Sequence, residues 1–403
     1  MAIARPFRAV RPAPDAAARV AAVPYDVVDV DEARALAGAN PLSFLHVSRA
    51  EIDLPPGTDP HADKVYHLAA KRYRELKRDA PLVQDPAAAL YVYRLSAGGH
   101  SQTGLAACYS LDDYDGGVIK KHERTRRDKE DDRTRHIIEL RAQTGPVFLI
   151  YRPIDRVREV VKRTSATPPL FDFEAIDGVR HTLWVMTDGE KQAVIDALAG
   201  AGALYIADGH HRAASAARAR AEMKEAAEAD FFLAVAFPSD QVRILPYNRI
   251  VKDLNGHVPE GFLGELARHG FAATKGPATP EQKGEVSMYV GGAWYFLDLE
   301  SPGAPAPGII DSLDCTVLQE RVLGPILGIG DVRTDRRVDF VGGARGTKAL
   351  EQLVDSGKAA VAFSMYPVSV QELMAVADAG SIMPPKSTWF EPKLRDGLLI
   401  HEI

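Results

Sequence analysis

LYIADGHHRAASAARARA, residues 204–221, joins an apolar stretch to an alanine-rich one through an acid, a glycine, two histidines and an arginine. The apolar part reads as a strand and the alanine-rich part as a helix from about Arg212 to Glu228, with the polar residues in the turn between them. A helix that starts directly after a turn offers unpaired N–H groups and the positive end of its macrodipole, a combination that binds anions and phosphates above all. Arg212 would sit in the first turn, where its forked guanidinium suits a pair of phosphate oxygens, and Gly209 permits close backbone approach. Asp208 can cap the helix, orient a histidine or ligate Mg2+, and His210 and His211 can donate to phosphate or move protons near neutral pH. The plain alternative is a capped join with solvated histidines. Five such residues together at a strand end weigh toward a site, because polar groups converge there in open α/β sheets that bind ligands.

The chain around this join has 403 residues, too many for one ordinary domain and enough for two substantial cores. Hydrophobic residues at 46% and charged residues at 26% are the proportions of a soluble globular protein, which sets aside disorder and collagen-like structure. A net charge of -6 argues against a broadly basic surface, and a nucleic-acid partner is not expected. Cys108 and Cys315 stand far apart and outside any CxxC spacing, so both are read as reduced, buried thiols rather than as a disulfide or zinc site. The N-terminal residues contain no continuous apolar core, and no later run approaches the length of a membrane span. A cytoplasmic location with no membrane partner is the expectation.

Along the chain, VDVDEARALAGAN and DPHADKVYHLAAKRYRELKRD have helical spacing, and ALYVYRLSAGGHSQTGLAACYSL alternates around a Gly-Gly turn as a hairpin does. GPVFLIYRP, HTLWVMT and FFLAVAFP read as strands, and EKQAVIDALAGAG as a helix stopped by glycine. SPGAPAPG, residues 301–308, is the best candidate linker. Strands and helices mixed in this way predict an α+β (mixed α/β) fold. Three segments are expected: an N-terminal α+β domain over 1–150, a central domain with the DGHHR turn over 151–300, and a C-terminal α/β segment over 308–403 packed on the others.

Three further stretches carry candidate chemistry. IKKHERTRRDKEDDR, residues 119–133, is either a solvated helix laced with ion pairs or a phosphate lid. In the second case Lys120, Lys121, Arg124 and Arg133 bind phosphate, while His122 and Glu123 supply acid–base chemistry. MPPKSTWFEPKL, residues 383–394, sets Lys386, Ser387 and Thr388 on a proline-stiffened segment where they can meet a phosphate or Mg2+, unless the segment is a docking tail. In HVSRAEIDLP, Glu51 is a general base or the salt-bridge partner of Arg49, and the turns VPYDV and LPYNRI add Asp26, Asn248 and Arg249 as weaker candidates. GxxxxGK[ST], GxSxG, HExxH and GxGxxG are absent, which removes the usual support for a Walker NTPase, serine hydrolase, zincin or dinucleotide enzyme.

PYDV, SRAEID, KKHERT, ADGHHR, PYNR and MPPKSTWFEPKL in this order resemble the bacterial and archaeal family known as domain of unknown function 1015, along essentially the whole chain. IADGHHRAASA is also similar to the strand-turn-helix of the ParB/sulfiredoxin superfamily, which includes free serine kinases. That second resemblance implies a ParB/sulfiredoxin-like core with further α/β elements at both ends. It also implies that Gly209, His210, His211 and Arg212 contact nucleotide phosphates, with Asp208 near the reacting hydroxyl or a metal.

The expected function is therefore transfer of a phosphoryl group between a nucleotide, ATP or ADP, and a small hydroxyl metabolite, with free serine as the named guess and Mg2+ bridging. Asp208 or Glu123 would take the hydroxyl proton and Lys120, Lys121 and Lys386 would neutralise the phosphates. A non-enzymatic nucleotide sensor or partner-binding protein, or a small-molecule phosphatase, would use the same cradle.

Overall fold

The structure is a computed structural model that describes residues 2–79, 81–299 and 308–403. Residues 301–307 of the candidate linker lie outside the described residues. The chain divides into two compact units: unit 1 comprises Met1–Lys121, Thr125–Val242 and Pro392–Ile403, and unit 2 comprises His122–Arg124 and Arg243–Glu391. The fold is mixed α/β, as the sequence predicts, and the large sheet of unit 1 is itself of mixed parallel and antiparallel pairing.

That sheet has nine strands among the described residues: β1 (Ala4–Arg5), β2 (Tyr91–Ala97), β3 (His100–Ser110), β4 (Ile119–Lys120), β5 (Val147–Tyr151), β6 (Phe171–Glu174), β7 (Arg180–Val185), β8 (Leu204–Asp208) and β9 (Phe231–Pro238). Their order is β4-β8-β5-β9-β3-β2-β7-β6, with β1 on β3. The β2–β3 hairpin turns at Gly98 and Gly99, both at positive φ as this two-residue turn requires. β5 is buried at every residue and β9 at all but its first, which is why VFLIY and FFLAVAFP carry no alternation. β8 pairs antiparallel with β5 and parallel with β4, and its register shifts between Ile206 and Asp208, just before the DGHHR turn. Such irregularities re-aim side chains at sheet ends.

α1 (Val30–Ala37) begins in a capping box made by Asp29 and Glu32. α2 (Asp63–Arg78) buries Val65, Tyr66, Ala69, Ala70, Tyr73 and Leu76, one face at helical spacing. α3 (Arg127–Leu140) packs against both α2 and α4 (His210–Glu222). Ala213, Ala214, Ala216 and Ala219 of α4 are buried in the main core, and Ser215 Oγ donates to the Glu130 carbonyl of α3 at 3.2 Å. The alanine-rich sequence thus serves close packing, since small side chains let the helix sit tightly against its neighbours. α4 starts at His210, two residues before the start expected from the sequence, and ends at Glu222. Gly209, at φ 93, turns the chain so sharply that both histidines fall in the first helical turn.

Unit 2 holds a six-stranded antiparallel sheet, Tyr247–Val251 (β10), Thr274–Lys275 (β11), Glu285–Val290 (β12), Ala293–Asp298 (β13), Val338–Gly342 (β14) and Val361–Met365 (β15), in the order β11-β13-β12-β15-β10-β14. Both cysteines are unpaired and buried. No helix among the described residues is long and apolar enough to cross a membrane.

Candidate functional site

The DGHHR turn is held by its own charges. Asp208 Oδ1 accepts from the Gly209 N–H at 3.0 Å, and its Oδ2 lies 3.3 Å from Arg212 Nη2 and 3.2 Å from Lys393 Nζ. Burial opposes ionisation of Asp208, but Lys393 and Arg212 outweigh it and hold the carboxyl well below the usual carboxylate range. Arg212 is 9% exposed, donates through Nη1 to the Pro146 carbonyl, and folds back over Gly209. A Cβ at residue 209 would lie 2.9 Å from Arg212 Nε, so glycine is required there by both φ and space. Arg212 Nε itself is buried with no hydrogen-bond partner. His211 Nε2 accepts from the Arg126 N–H at 3.0 Å, tying α4 to the start of α3, and His210 is buried.

Two adjoining cavities open beside this turn in unit 1. One, of about 40 Å³, is walled by Arg212, Arg133, Asp396, Tyr25, Gln143 and Thr144, among others. The other, of about 100 Å³, is walled by Arg49, Glu51, Arg133, Asp132, His61 and Tyr66, among others. Tyr25, Arg133 and His136 line both. The Arg133 guanidinium stacks 4.1 Å over the Tyr25 ring and donates through Nε to Asp132 at 2.8 Å. Burial disfavours the Asp132 carboxylate, yet Arg133 and the Tyr66 hydroxyl, which donates at 2.7 Å, hold it well below its ordinary range. Glu51 lies 2.7 Å from Arg49 Nε, and Arg49 Nη1 donates to the carbonyls of Tyr25 and Val28. The PYDV and SRAEID stretches therefore meet through Arg49. Burial and the facing Arg133 pull the His136 imidazole down to about 4, so it is neutral at pH 7, with Nε2 3.0 Å from the Val47 carbonyl.

Of the residues singled out from the sequence, Glu51, Arg133 and Arg212 line these cavities, with Asp208 and Gly209 in direct contact with Arg212. Lys120 and Lys121 line neither. Lys120 lies beside the Tyr205 ring at 6.0 Å, and Lys121 sits 3.7 Å over Tyr114, where burial draws its pKa down. The KKHERT stretch crosses the division between the units, and its His122 and Glu123 belong to unit 2. There the His122 carbonyl accepts from the Met383 N–H at 2.8 Å, and Thr388 Oγ1 lies 3.5 Å from His122 Nε2. Ser387 Oγ donates to the Pro384 carbonyl at 2.6 Å, and Lys386, at φ 56, lies 5.5 Å from the Tyr247 ring. Glu123 lines a cavity of about 310 Å³ in unit 2 with Arg124, Arg333, Met383, Pro384 and Pro385.

Asp208 does not fit a divalent cation as it stands, because both its oxygens already accept from cations or from a backbone N–H. No group of three or more His, Cys, Asp or Glu side chains among the described residues is placed to hold a metal ion. Magnesium brought to such a site would depend on the oxygens of a bound polyphosphate, the usual source of its ligands. From the sequence, Lys393 is marked only as a charge on the MPPKSTWFEPKL stretch, and Asp396 is not singled out. The only local sign of Asp396 is its Asp-Gly pair, Asp396-Gly397, two residues beyond the MPPKSTWFEPKL stretch, and four other Asp-Gly pairs in the chain dilute that signal.

A sequence profile described as "Protein of unknown function (DUF1015)" matches residues 4–316. No curated protein is significantly similar in sequence. Among solved structures, a free serine kinase in complex with AMP is 14% identical, with 74% of this chain and 91% of that one covered and a TM-score of 0.38. A conserved hypothetical protein from Pyrococcus furiosus is 14% identical over 73% of this chain and 94% of its own, TM-score 0.37. SbnI with a C-terminal truncation, from Staphylococcus aureus, is 14% identical over 72% and 85%, TM-score 0.39. Likeness at this level is of chain path and does not extend to activity.

Proposed function

We propose that this chain, which belongs to the DUF1015 family, is a phosphotransferase that moves a phosphoryl group between a nucleotide and a small hydroxyl metabolite at the paired cavities of unit 1. The observation that carries this reading is the placement of two guanidinia, the buried Arg212 and the partly buried Arg133, on one cavity, with Arg212 Nε left without a hydrogen-bond partner. Buried donors are seldom left unsatisfied, and an anion's oxygens would complete this one. The N-terminal turn of α4 lies beside it, at Gly209 and His210, and adds a positive potential. Cavities of about 40 and 100 Å³ hold a few water molecules' worth of space, enough for a phosphoryl group and a small acceptor. The nucleoside must then lie outside them.

The residues divide the work by their charge state. Arg212 and Arg133 bind and orient phosphate oxygens. Asp208, fixed as a carboxylate between Arg212 and Lys393, positions those two cations and is a poor proton acceptor. Phosphoryl transfer asks for little beyond such positioning and charge neutralisation. Incubating the protein with ATP or ADP and a panel of small hydroxy acids, with 31P NMR of the products, tests the reading. A new phosphate monoester whose formation falls at least tenfold in Arg212→Ala supports it, and an unchanged rate in that variant refutes it. A second reading, a nucleotide sensor without turnover, is favoured by the engagement of both Asp208 and His211 in bonds within the fold. Nucleotide binding with no product from any acceptor would identify it.

A further inference from the structure

The segment Pro392–Ile403 returns to unit 1 and sets one carboxyl in its interior. The Asp396 N–H donates to the Ala22 carbonyl at 2.9 Å, the Ala22 N–H donates back to the Asp396 carbonyl at 3.2 Å, and the Gly397 N–H donates to the Thr144 carbonyl at 3.0 Å. Gly397, at φ 82, lies so close to the Phe44 ring that a side chain there would collide with it. The backbone on both sides of Asp396 is therefore fixed, and with it the direction in which the side chain leaves the chain.

That side chain is 2% exposed, and its Oδ1 has no hydrogen-bond partner. It points over Gly145, where any Cβ would collide with Oδ1, and it lines the cavity shared by Arg212, Arg133 and Tyr25. A buried, unsatisfied carboxyl oxygen is costly and calls for a reason. Oδ1 packs against Gly145, and Asp396 lines the cavity, where a bound acceptor can supply the missing partner. The charged and titratable groups around it are Arg212, Arg133, Asp26, the Tyr25 phenol and the neutral His136. Burial is the largest influence on the carboxyl; Arg212 opposes it, Asp26 adds to it, and the balance raises the group to about 7. A proton acceptor serves best when its affinity lies near the working pH.

We infer that Asp396 is the general base of the transfer reaction, its Oδ1 receiving the proton of the acceptor hydroxyl while Arg212 and Arg133 hold the phosphoryl oxygens. This rests on the phosphotransferase reading. In the step, the hydroxyl oxygen forms a bond to the terminal phosphorus of the nucleotide as its O–H bond breaks, and the proton passes to the Asp396 carboxylate. The P–O bond to the departing phosphate breaks, and its electron pair leaves with that oxygen. Microscopic reversibility makes protonated Asp396 the acid of the reverse direction.

The test compares wild type with Asp396→Asn in a phosphoryl-transfer assay using ATP or ADP and small hydroxy acids, alongside nucleotide calorimetry and thermal denaturation. The inference predicts a fall in kcat of about 10²–10⁴-fold with nucleotide affinity kept within about threefold, as general-base removal does. It also predicts loss of the acid limb that wild-type kcat shows near pH 7. If Asp396→Asn folds, binds nucleotide and turns over within threefold of wild type, the base assignment is wrong and the phosphotransferase reading stands. If the wild type binds nucleotide and makes no product, both fail together. Should the variant not fold, 13C NMR of the Asp396 carboxyl in the wild type decides. Titration near neutrality supports the role, and a carboxyl still ionised at pH 5 or still protonated at pH 9 overturns it.

Discussion

Replacing Asp396 with asparagine should change how stability depends on pH, whatever its effect on turnover. In the unfolded chain this carboxyl has its ordinary value of 3.8, and in the folded chain burial raises it to about 7. Below pH 3.8 both states are protonated and the group contributes no difference. As pH rises from there, the unfolded chain releases a proton that the folded chain retains, so folding loses about 1.4 kcal/mol per pH unit until pH 7. The completed deficit is about 4 kcal/mol on the same arithmetic. Asparagine matches the protonated acid in shape and does not titrate. The variant should therefore gain on wild type as pH rises, by about 3 kcal/mol between pH 5 and pH 8. Groups elsewhere titrate equally in both proteins and cancel in the difference. Native-state hydrogen exchange of the β5 and β9 amides reads unit 1 alone, so unfolding of unit 2 does not confuse the result. A gap that stays constant with pH, or that narrows as pH rises, refutes the raised carboxyl and the buried, unpartnered geometry from which it follows.

Other variants probe the turn itself. Gly209→Ala places a side chain at φ 93 against the Arg212 guanidinium; strain of this kind costs about 1–3 kcal/mol, to be read as a lowered denaturation midpoint of unit 1. Arg212→Ala leaves Asp208 with Lys393 as its remaining cation and should cost about 3 kcal/mol, the lower end for breaking a buried pair, in urea unfolding. Gly145→Ala pushes a methyl into Asp396 Oδ1, and a loss of about 1–3 kcal/mol is expected in the same experiment. His211→Ala removes the acceptor of the Arg126 N–H and should cost about 1 kcal/mol, with faster amide exchange at the start of α3.

The sequence carried the local features well. The join at DGHHR is a strand, a glycine turn and a helix, and the polar residues gather where the macrodipole and the sheet end coincide. Its helix begins earlier than its composition suggests, because the start is set by Gly209 at φ 93 rather than by propensity. The charge-rich 119–133 stretch resisted reading for a different reason. Spacing alone shows Arg133 among alternating acids, as on a solvated face, while packing of α3 between α2 and α4 buries it over Tyr25. Lys121 and His122 are adjacent in the chain and belong to different units, which no local pattern announces. Asp396 was the hardest to see. Its importance comes from Ala22, Thr144 and Gly145, which only the tertiary fold brings to it.

The most direct test of the central claim is calorimetric titration of ADP into wild type and Arg212→Ala, both shown to be folded. The account predicts saturable binding to the wild type and at least a tenfold weaker affinity in the variant, with inorganic phosphate competing for the wild-type site. Equal affinity in the two proteins, or no binding to the wild type, would contradict it.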